Sequence, residues 1–173
     1  MVRFGRLPAV CCLLASVISG APAFAPVDRF TGRYVLVRNQ SEDIQQAIER
    51  SVARMNFLVR PIARRQLRQK TILSSSFAME RSDDFLRVTL AGEPTLLLPL
   101  SGATVSWKAP DGETVQVCLV PGSDLVQIFK SKQGQRENRF TLSPDRELIT
   151  MSVRITSREL PRPVEYRLVY RRV

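Results

Sequence analysis

Between residues 32 and 41 the chain reads Gly32-Arg-Tyr-Val-Leu-Val-Arg-Asn-Gln-Ser41, a short strand pattern that leads directly into a helix start. Two helix-like segments follow, up to about Lys70. From there to Val173 the chain is a nearly unbroken run of strand patterns separated by turn signals. One strand, a helix pair and then strands to the end predict a closed barrel with a helical cover over one mouth, which is the layout of a container.

The first helix has a clear start signal. Ser41 is a plausible N-cap, and Glu42 and Asp43 fall in the first turn, where carboxylates suit the positive end of the helix dipole. Small and apolar residues then recur at helical spacing, which predicts one buried face. These residues are Ile44, Ala47, Ile48, Ser51, Val52 and Met55.

The second helix is shorter and more basic. The Arg60-Pro61 step ends or kinks the first segment, and Pro61 can begin a new helix that runs to about Gln69. Its apolar side is predicted to be Ile62, Ala63 and Leu67. Neither helix is apolar all round, so each is expected to lie on a surface rather than to cross a core.

The rest of the chain is predicted as strands joined by hairpin turns. Turn signals recur every 8 to 12 residues, which is typical of an all-β barrel or sandwich. With the first strand, the total is about ten. The nine further candidates are Thr71–Glu80, Phe85–Leu90, Thr95–Leu100, Thr104–Lys108, Thr114–Val120, Asp124–Ser131, Gln135–Leu142, Glu147–Thr156 and Val164–Arg172.

The first strand carries a family resemblance. Phe30-Thr-Gly-Arg-Tyr34 resembles the first strand of the calycins, the lipocalins and fatty-acid-binding proteins. The helix pair between the first and second strands is similar to the fatty-acid-binding branch. The resemblance implies a mainly β fold, an antiparallel up-and-down β-barrel of about ten strands that covers residues 26–173 as one domain.

Two residue-level departures limit what the resemblance implies. Where lipocalins have Gly-x-Trp, this chain has Gly32 and Tyr34, and the Arg-x-Tyr pair of the fatty-acid-binding branch is absent from Val164–Arg172. That branch is also typically cytosolic, whereas this chain begins with a leader pattern. The resemblance therefore carries over the fold and no ligand-binding residue.

Residues 1–25 have the pattern of a secretory signal peptide. Arg3 and Arg6 precede an apolar run from Leu7 to Ile18, and cleavage is predicted after Ala23 or Ala25. An uncleaved membrane anchor is the alternative, but the run is shorter than the ~20 apolar residues that cross a bilayer. Removal of the two leader arginines takes the formal net charge from +10 to +8. We expect an exported monomer, in the periplasm or outside the cell.

Composition excludes several kinds of chemistry. The chain has no histidine, and Cys118 is the only cysteine after the predicted leader, so catalytic triads, imidazole and thiolate metal sites and internal disulfides are all excluded. The acidic pairs Glu42-Asp43 and Asp83-Asp84 are explained by a helix start and a turn. The sequence therefore predicts no catalytic residues, no metal, no cofactor and no enzymatic activity.

Alternation along the strands gives candidate cavity residues. On the last strand Tyr166, Tyr170 and Arg172 share the more apolar face, with Arg172 near a rim. Met151 lies on the inward face of the strand before it, and Trp107 is predicted as core or cavity wall. Ordinary barrel packing of the tyrosines and a solvated Arg172 are the alternatives.

Two function classes remain open. The leading hypothesis is a container for a small apolar or amphipathic ligand, including lipids. The alternative is a structural or interaction protein with a filled interior, whose basic surface binds anionic lipid, polysaccharide or a partner protein. That surface would be centred on Arg60, Arg64, Arg65 and Arg68. Few aromatic residues and the predicted export argue against nucleic-acid binding.

Overall fold

The computed structural model describes residues 27–71, 73–109, 111–120 and 123–173, so the predicted signal peptide lies outside the described residues. The described chain has a short 3-10 turn at Val27–Phe30, two helices and ten strands. The helices are α1 (Ile44–Val52) and α2 (Arg60–Lys70). The strands are β1 (Gly32–Leu36), β2 (Ser76–Arg81), β3 (Phe85–Leu90), β4 (Leu96–Pro99), β5 (Val105–Lys108), β6 (Thr114–Val120), β7 (Leu125–Lys130), β8 (Gly134–Leu142), β9 (Leu148–Ser157) and β10 (Val164–Arg172).

The strands form one antiparallel sheet that curls into a nearly closed barrel. Each strand from β2 to β10 pairs with the next along the chain, except at one seam, and β1 pairs with both β2 and β10. The seam lies between β4 and β5, which pair only with β3 and β6 among the described strands. The prediction of a ten-stranded up-and-down barrel with a helix pair after β1 is confirmed.

The helix cap differs from the prediction in detail. Asp43, not Ser41, is the N-cap of α1, because its Oδ1 accepts from the backbone N–H of Gln45 at 2.7 Å. Ser41 instead ties the segment to β10, since its Oγ accepts from the N–H of Val169 at 2.9 Å. The helix also ends at Val52, so Met55 lies beyond it.

The predicted buried face of α1 is confirmed, but that of α2 is only partly correct. Ile44, Ala47, Ile48, Ser51 and Val52 are all buried against the barrel. In α2 only Leu67 is buried, and Ile62 is 60% exposed. The helix lies across the barrel mouth and contacts it through few positions, so its apolar side is not fully covered.

The strand termini differ from prediction mainly at β2, which begins at Ser76 rather than Thr71. The Ser74 hydroxyl donates to the carbonyl of Ser76 at 2.7 Å and accepts from the N–H of Ala91 at 3.1 Å. Such local hydroxyl–backbone bonds compete with the strand ladder. Residues 73–75 are therefore outside the strand.

Inward-facing residues alternate along most strands of the barrel. Phe77 of β2 stacks on Tyr34 of β1 with ring centroids 4.8 Å apart and meets Phe140 of β8 at 5.8 Å and Tyr170 of β10 at 4.7 Å. Aromatic pairs at these separations contribute beyond the area that they bury. This aromatic cluster fills the centre of the barrel, and Phe30 of the 3-10 turn, 1% exposed, closes the end opposite α2.

Candidate functional site: a cavity beneath α2

A cavity of about 240 Å³ lies inside the barrel beneath α2. Its mouth is bounded by the helix and by the four hairpin turns at that end: β3–β4, β5–β6, β7–β8 and β9–β10. Its walls are mainly apolar, from inward-facing strand residues. The principal wall residues are Phe77, Val88, Leu90, Leu96, Val115, Phe129, Phe140, Met151 and Ile155.

The mouth is unusually acidic for so basic a protein. Lys70 of α2 donates to Glu113 Oε2 at 2.7 Å and to Gln133 Oε1 at 3.0 Å, which fastens the helix to the turns below it. Asp111 and Glu159 lie at the same rim. With Glu93, the described lining residues therefore include four carboxylates against the two cations Lys70 and Arg136.

A chain of three polar side chains crosses one wall. Arg136 Nε donates to Asn138 Oδ1 at 2.8 Å, and Asn138 Nδ2 donates to Gln127 Oε1 at 3.5 Å. Gln127 and Asn138 face each other on neighbouring strands and are only 2% and 4% exposed. Gln127 Nε2 has no partner among the described residues. Leu125, the next inward residue of β7, is buried but does not line the cavity, so along β7 the floor of the cavity is at Gln127.

Trp107 of β5 forms another part of the wall. Its ring meets that of Phe129 edge-on at a centroid distance of 6.1 Å. The indole Nε1 is buried and has no hydrogen-bond partner among the described residues. Buried indole N–H groups are usually bonded, so the cavity offers a second unpaired donor.

Glu93 is the one titratable group here whose pKa is raised. It lies half-buried in the β3–β4 turn at the cavity rim. Burial raises the pKa of its carboxyl, while the positive charge of Arg136 acts in the opposite direction. Glu93 and Arg136 both line the cavity, and their charges interact.

The structure separates the five sequence-predicted cavity residues into two groups. Met151 and Trp107 line the cavity. Tyr166 and Tyr170 are buried and face inward but are not among the lining residues. Tyr170 packs edge-on against Phe77, which does line the cavity, and its hydroxyl donates to the carbonyl of Ser74 at 3.2 Å. Burial also raises the pKa of Tyr170.

Arg172 lies far from the cavity. Its guanidinium donates to the carbonyl of Arg29 at 2.6 Å and to the Tyr34 hydroxyl at 2.8 Å. The Tyr34 hydroxyl in turn donates to the carbonyl of Phe30 at 2.9 Å. Arg172 thus holds the 3-10 turn over the closed end of the barrel. Its role is structural, at the end of the barrel away from the cavity.

The predicted basic surface is partly committed to internal contacts. Arg64 donates twice to Glu49 of α1, at 2.6 and 2.7 Å, and Arg68 donates to Gln45 at 2.6 Å. Arg60 donates to the carbonyls of Ala53 and Met55, both at 2.9 Å. These bonds hold the two helices together, whereas Arg65 is exposed on the outer side of α2.

The loop between the helices exposes an apolar tip that the sequence analysis did not single out. Phe57 is 73% exposed and Leu58 is 67% exposed, and Val59 and Ile62 are also exposed beside them. Contiguous exposed apolar side chains commonly mark interaction sites. This apolar tip adjoins the basic surface, so the helix pair presents both features on its outer face.

The sequence analysis also missed the polar wall. Gln127, Arg136 and Asn138 are in phase with Phe129 and Phe140 on their strands. That shared phase is a usable signal, because residues two apart on a strand point to the same side of the sheet. Polar residues on an otherwise inward face then indicate a cavity rather than a packed core.

The described residues contain no group of three or more Cys, Asp or Glu side chains arranged to hold a metal ion. No helix among them is long and apolar enough to cross a membrane. The described part of the cavity offers apolar contact area, two buried N–H donors without a partner, and the nearby charges of Glu93 and Arg136. This arrangement can hold a small amphipathic molecule.

No family model and no curated protein matches the sequence. Solved structures do match over most of the chain. The REP1-NXSQ fatty acid transporter is 12% identical, with a TM-score of 0.54 over 84% of this chain and 97% of that one. A fatty-acid-binding protein of Echinococcus granulosus is 14% identical, with a TM-score of 0.53 over 84% and 98%. A secretary abundant heat soluble protein of Ramazzottius varieornatus is 6% identical, with a TM-score of 0.58 over 84% and 96%.

Identities this low establish the fold alone. The match extends over 84% of this chain and over at least 96% of each of these structures. The chain therefore has a calycin-like fold of the type seen in fatty-acid-binding proteins.

Proposed function

We propose that this protein is an exported, non-enzymatic carrier that binds one small apolar or amphipathic molecule in the cavity beneath α2. The observation that carries the proposal is the cavity itself, about 240 Å³ with mainly apolar walls and a few placed polar groups. Ligand pockets have this composition. The structural neighbours support it, since several are named fatty-acid-binding proteins and one, from Schistosoma mansoni, is in complex with arachidonic acid.

The competing hypothesis is an interaction protein whose barrel is filled by its own side chains. The centre of the barrel does have a packed aromatic cluster, but the part beneath α2 is hollow. A hollow lined by unpaired donors favours a container, because a purely structural interior would be expected to pair or remove them.

Ligand binding can be followed by the fluorescence of the protein itself. Trp107 is the chain's one tryptophan and lies in the cavity wall. An apolar ligand should therefore shift or quench its emission, saturating at one site per chain, and native mass spectrometry should detect the bound mass. No emission change with any apolar ligand or dye, together with no co-purifying molecule, would reject the carrier function.

Export is the part of the proposal that rests on the sequence alone. The pattern from Arg3 to Ala25 supports a cleaved leader. The mature protein should then begin near Phe24 or Pro26 and be recovered outside the cytoplasm. An intact mass that retains Met1 in the recovered protein would contradict cleavage.

A second candidate function is docking of the loaded carrier on an anionic membrane. The apolar tip at Phe57 and Leu58 adjoins exposed Arg54 and Arg65. Apolar insertion combined with cationic attraction is how peripheral segments bind anionic lipid, with about 1 kcal/mol gained per cation near the surface. Phe57, Leu58 and Arg54 lie in the loop between the helices, and Arg65 lies on α2 across the mouth, so docking would place the mouth near the bilayer.

Vesicles of phosphatidylglycerol and of phosphatidylcholine would test this docking. Binding should favour phosphatidylglycerol and weaken with salt, because salt screens exposed charges beyond about 8–10 Å. Changing Phe57 and Leu58 to Ser, or Arg54 and Arg65 to Gln, should weaken it without breaking the helix–helix bonds of Arg60, Arg64 and Arg68. Equal binding to both vesicle types, or binding untouched by either pair of changes, would contradict docking.

A further inference from the structure

The direction of the polar chain in the cavity wall is fixed by its first member. A guanidinium can only donate hydrogen bonds, so Asn138 must turn its oxygen toward Arg136 Nε, as observed at 2.8 Å. The Asn138 amide group is then left to donate, and Gln127 must offer its oxygen to it. These two hydrogen bonds fix which way both side-chain amides point. The last group in this series of hydrogen bonds, at the cavity floor, is the NH2 group of Gln127.

The floor therefore has an N–H donor, Gln127 Nε2, that has no acceptor among the described residues. Gln127 is 2% exposed, lines the cavity and leaves Nε2 without a partner. A buried N–H donor without a hydrogen-bond partner destabilises the folded protein, and a ligand oxygen that accepts from it would remove this cost. Bonds that follow one another in a chain polarise their members, so the guanidinium at the far end strengthens Gln127 as a donor.

The charges around the cavity argue against a negatively charged acceptor. Arg136 Nε already donates to Asn138, and its positive charge also acts on the carboxyl of Glu93, whose pKa it lowers. The other described charges of the lining are Asp111, Glu113 and Glu159, against Lys70. Lys70 is itself paired with Glu113 at 2.7 Å. A carboxylate entering past this rim would be repelled by more acidic groups than would attract it.

We propose that the cavity selects an uncharged amphipathic ligand, whose carbonyl, ester or hydroxyl oxygen accepts a hydrogen bond from Gln127 Nε2 at the floor, in preference to a free carboxylate. The inference rests on the proposed carrier function and names its ligand class. The apolar remainder of the ligand lies along Phe129, Met151 and Trp107. The Trp107 indole N–H offers a second donor to a ligand with a second oxygen nearer the mouth.

The test uses three ligands of equal chain length, which are octane, hexyl methyl ketone and octanoate, with binding followed through Trp107 emission at neutral pH. Gln127→Leu should weaken ketone binding about two- to tenfold, the range expected for one neutral hydrogen bond. The same change should leave octane binding unchanged or tighter. Gln116→Leu is the matched control, because Gln116 lies on β6 with its side chain outside the barrel, bonded to Ser106, and it should alter neither.

A second comparison tests whether the acidic rim disfavours a carboxylate ligand. In the wild-type protein the ketone should bind more tightly than octanoate, and Glu93→Gln should raise the affinity for octanoate while leaving that for the ketone unchanged. Urea unfolding checks whether each variant is as stable as the wild-type protein. The comparison of ketone with octanoate in the wild-type protein does not depend on any variant.

The outcomes separate this inference from the carrier function. Octanoate binding more tightly than the ketone in wild type, or equal loss of octane and ketone in Gln127→Leu, would overturn the ligand class while the carrier stands. Failure of all three ligands and of an apolar dye to bind would overturn both proposals. Ketone preference that is lost in Gln127→Leu and kept in Gln116→Leu would establish the selection.

Discussion

The two ends of the barrel are built from the same alternating strands but differ in how their interiors are filled. At the closed end, Phe30 plugs the opening, and Arg172 binds both the Tyr34 hydroxyl and the backbone of the 3-10 turn. At the covered end, the inward positions hold Gln127, Asn138 and Trp107 around a hollow. Stability is therefore expected to depend mainly on the closed end and ligand binding on the covered end.

The largest expected difference comes from a matched pair of truncations. Phe30→Ala removes a ring that is 1% exposed, and such changes cost about 3–5 kcal/mol. Phe129→Ala removes a ring that borders the hollow and is only half-buried, so it should cost less than half as much. Urea unfolding of both variants measures this. Equal losses would show that the covered end is packed as tightly as the closed end.

A smaller effect is expected from filling the hollow. Met151→Trp should weaken binding of an environment-sensitive apolar dye about tenfold, or ~1.4 kcal/mol, while changing the free energy of unfolding by less. Overpacking of a filled interior would instead cost about 1–3 kcal/mol of folding stability. Dye titration and urea unfolding of the same variant decide between the two. A large loss of stability with unchanged dye affinity would count against the hollow.

The smallest effect concerns pH and Glu93. Since burial raises the pKa of Glu93 in the folded protein, the folded state holds that proton more tightly than the unfolded chain does. The resulting stabilisation is complete below the ordinary pKa of 4.5 and is lost as pH rises through the raised folded pKa. Glu93→Gln cannot lose a proton, so its stability relative to wild type should rise with pH across this window.

Urea midpoints of both proteins, measured from acidic to neutral pH, would show this trend. Parallel midpoint curves for wild type and Glu93→Gln would mean that Glu93 titrates alike in the folded and unfolded states. The covered end would then lack the buried carboxyl that distinguishes it from the closed end.

The architecture could be predicted from the sequence because the positions of its strands and helices follow from local patterns. Turn signals and period-two alternation locate the strands, and the stripe from Ile44 to Val52 orients α1. Depth within the barrel is a different matter. Met151 and Tyr170 both face inward, yet only Met151 reaches the cavity. Their heights along the barrel depend on strand register, which long-range pairing sets and local pattern does not.

The polar wall was missed for a related reason. On its own, the strand Gln135–Leu142 is rich in polar and charged residues and suggests a solvated surface. The pairing of Gln127 with Asn138 across β7 and β8 shows that the inward row is polar. Likewise, Ile62 was predicted on the packed side of α2, and it is exposed because the helix spans an opening rather than a flat sheet.

The seam between β4 and β5 has a consequence for folding kinetics. Since these two strands are not hydrogen-bonded to each other, the first four strands are joined to the rest of the sheet only through the pairing of β1 with β10. That pairing brings Leu36 beside Tyr170, almost the whole domain apart in sequence. Contacts of such high sequence separation form slowly because a long loop must close first. On a ribosome, the barrel can therefore close only after the last strand has emerged.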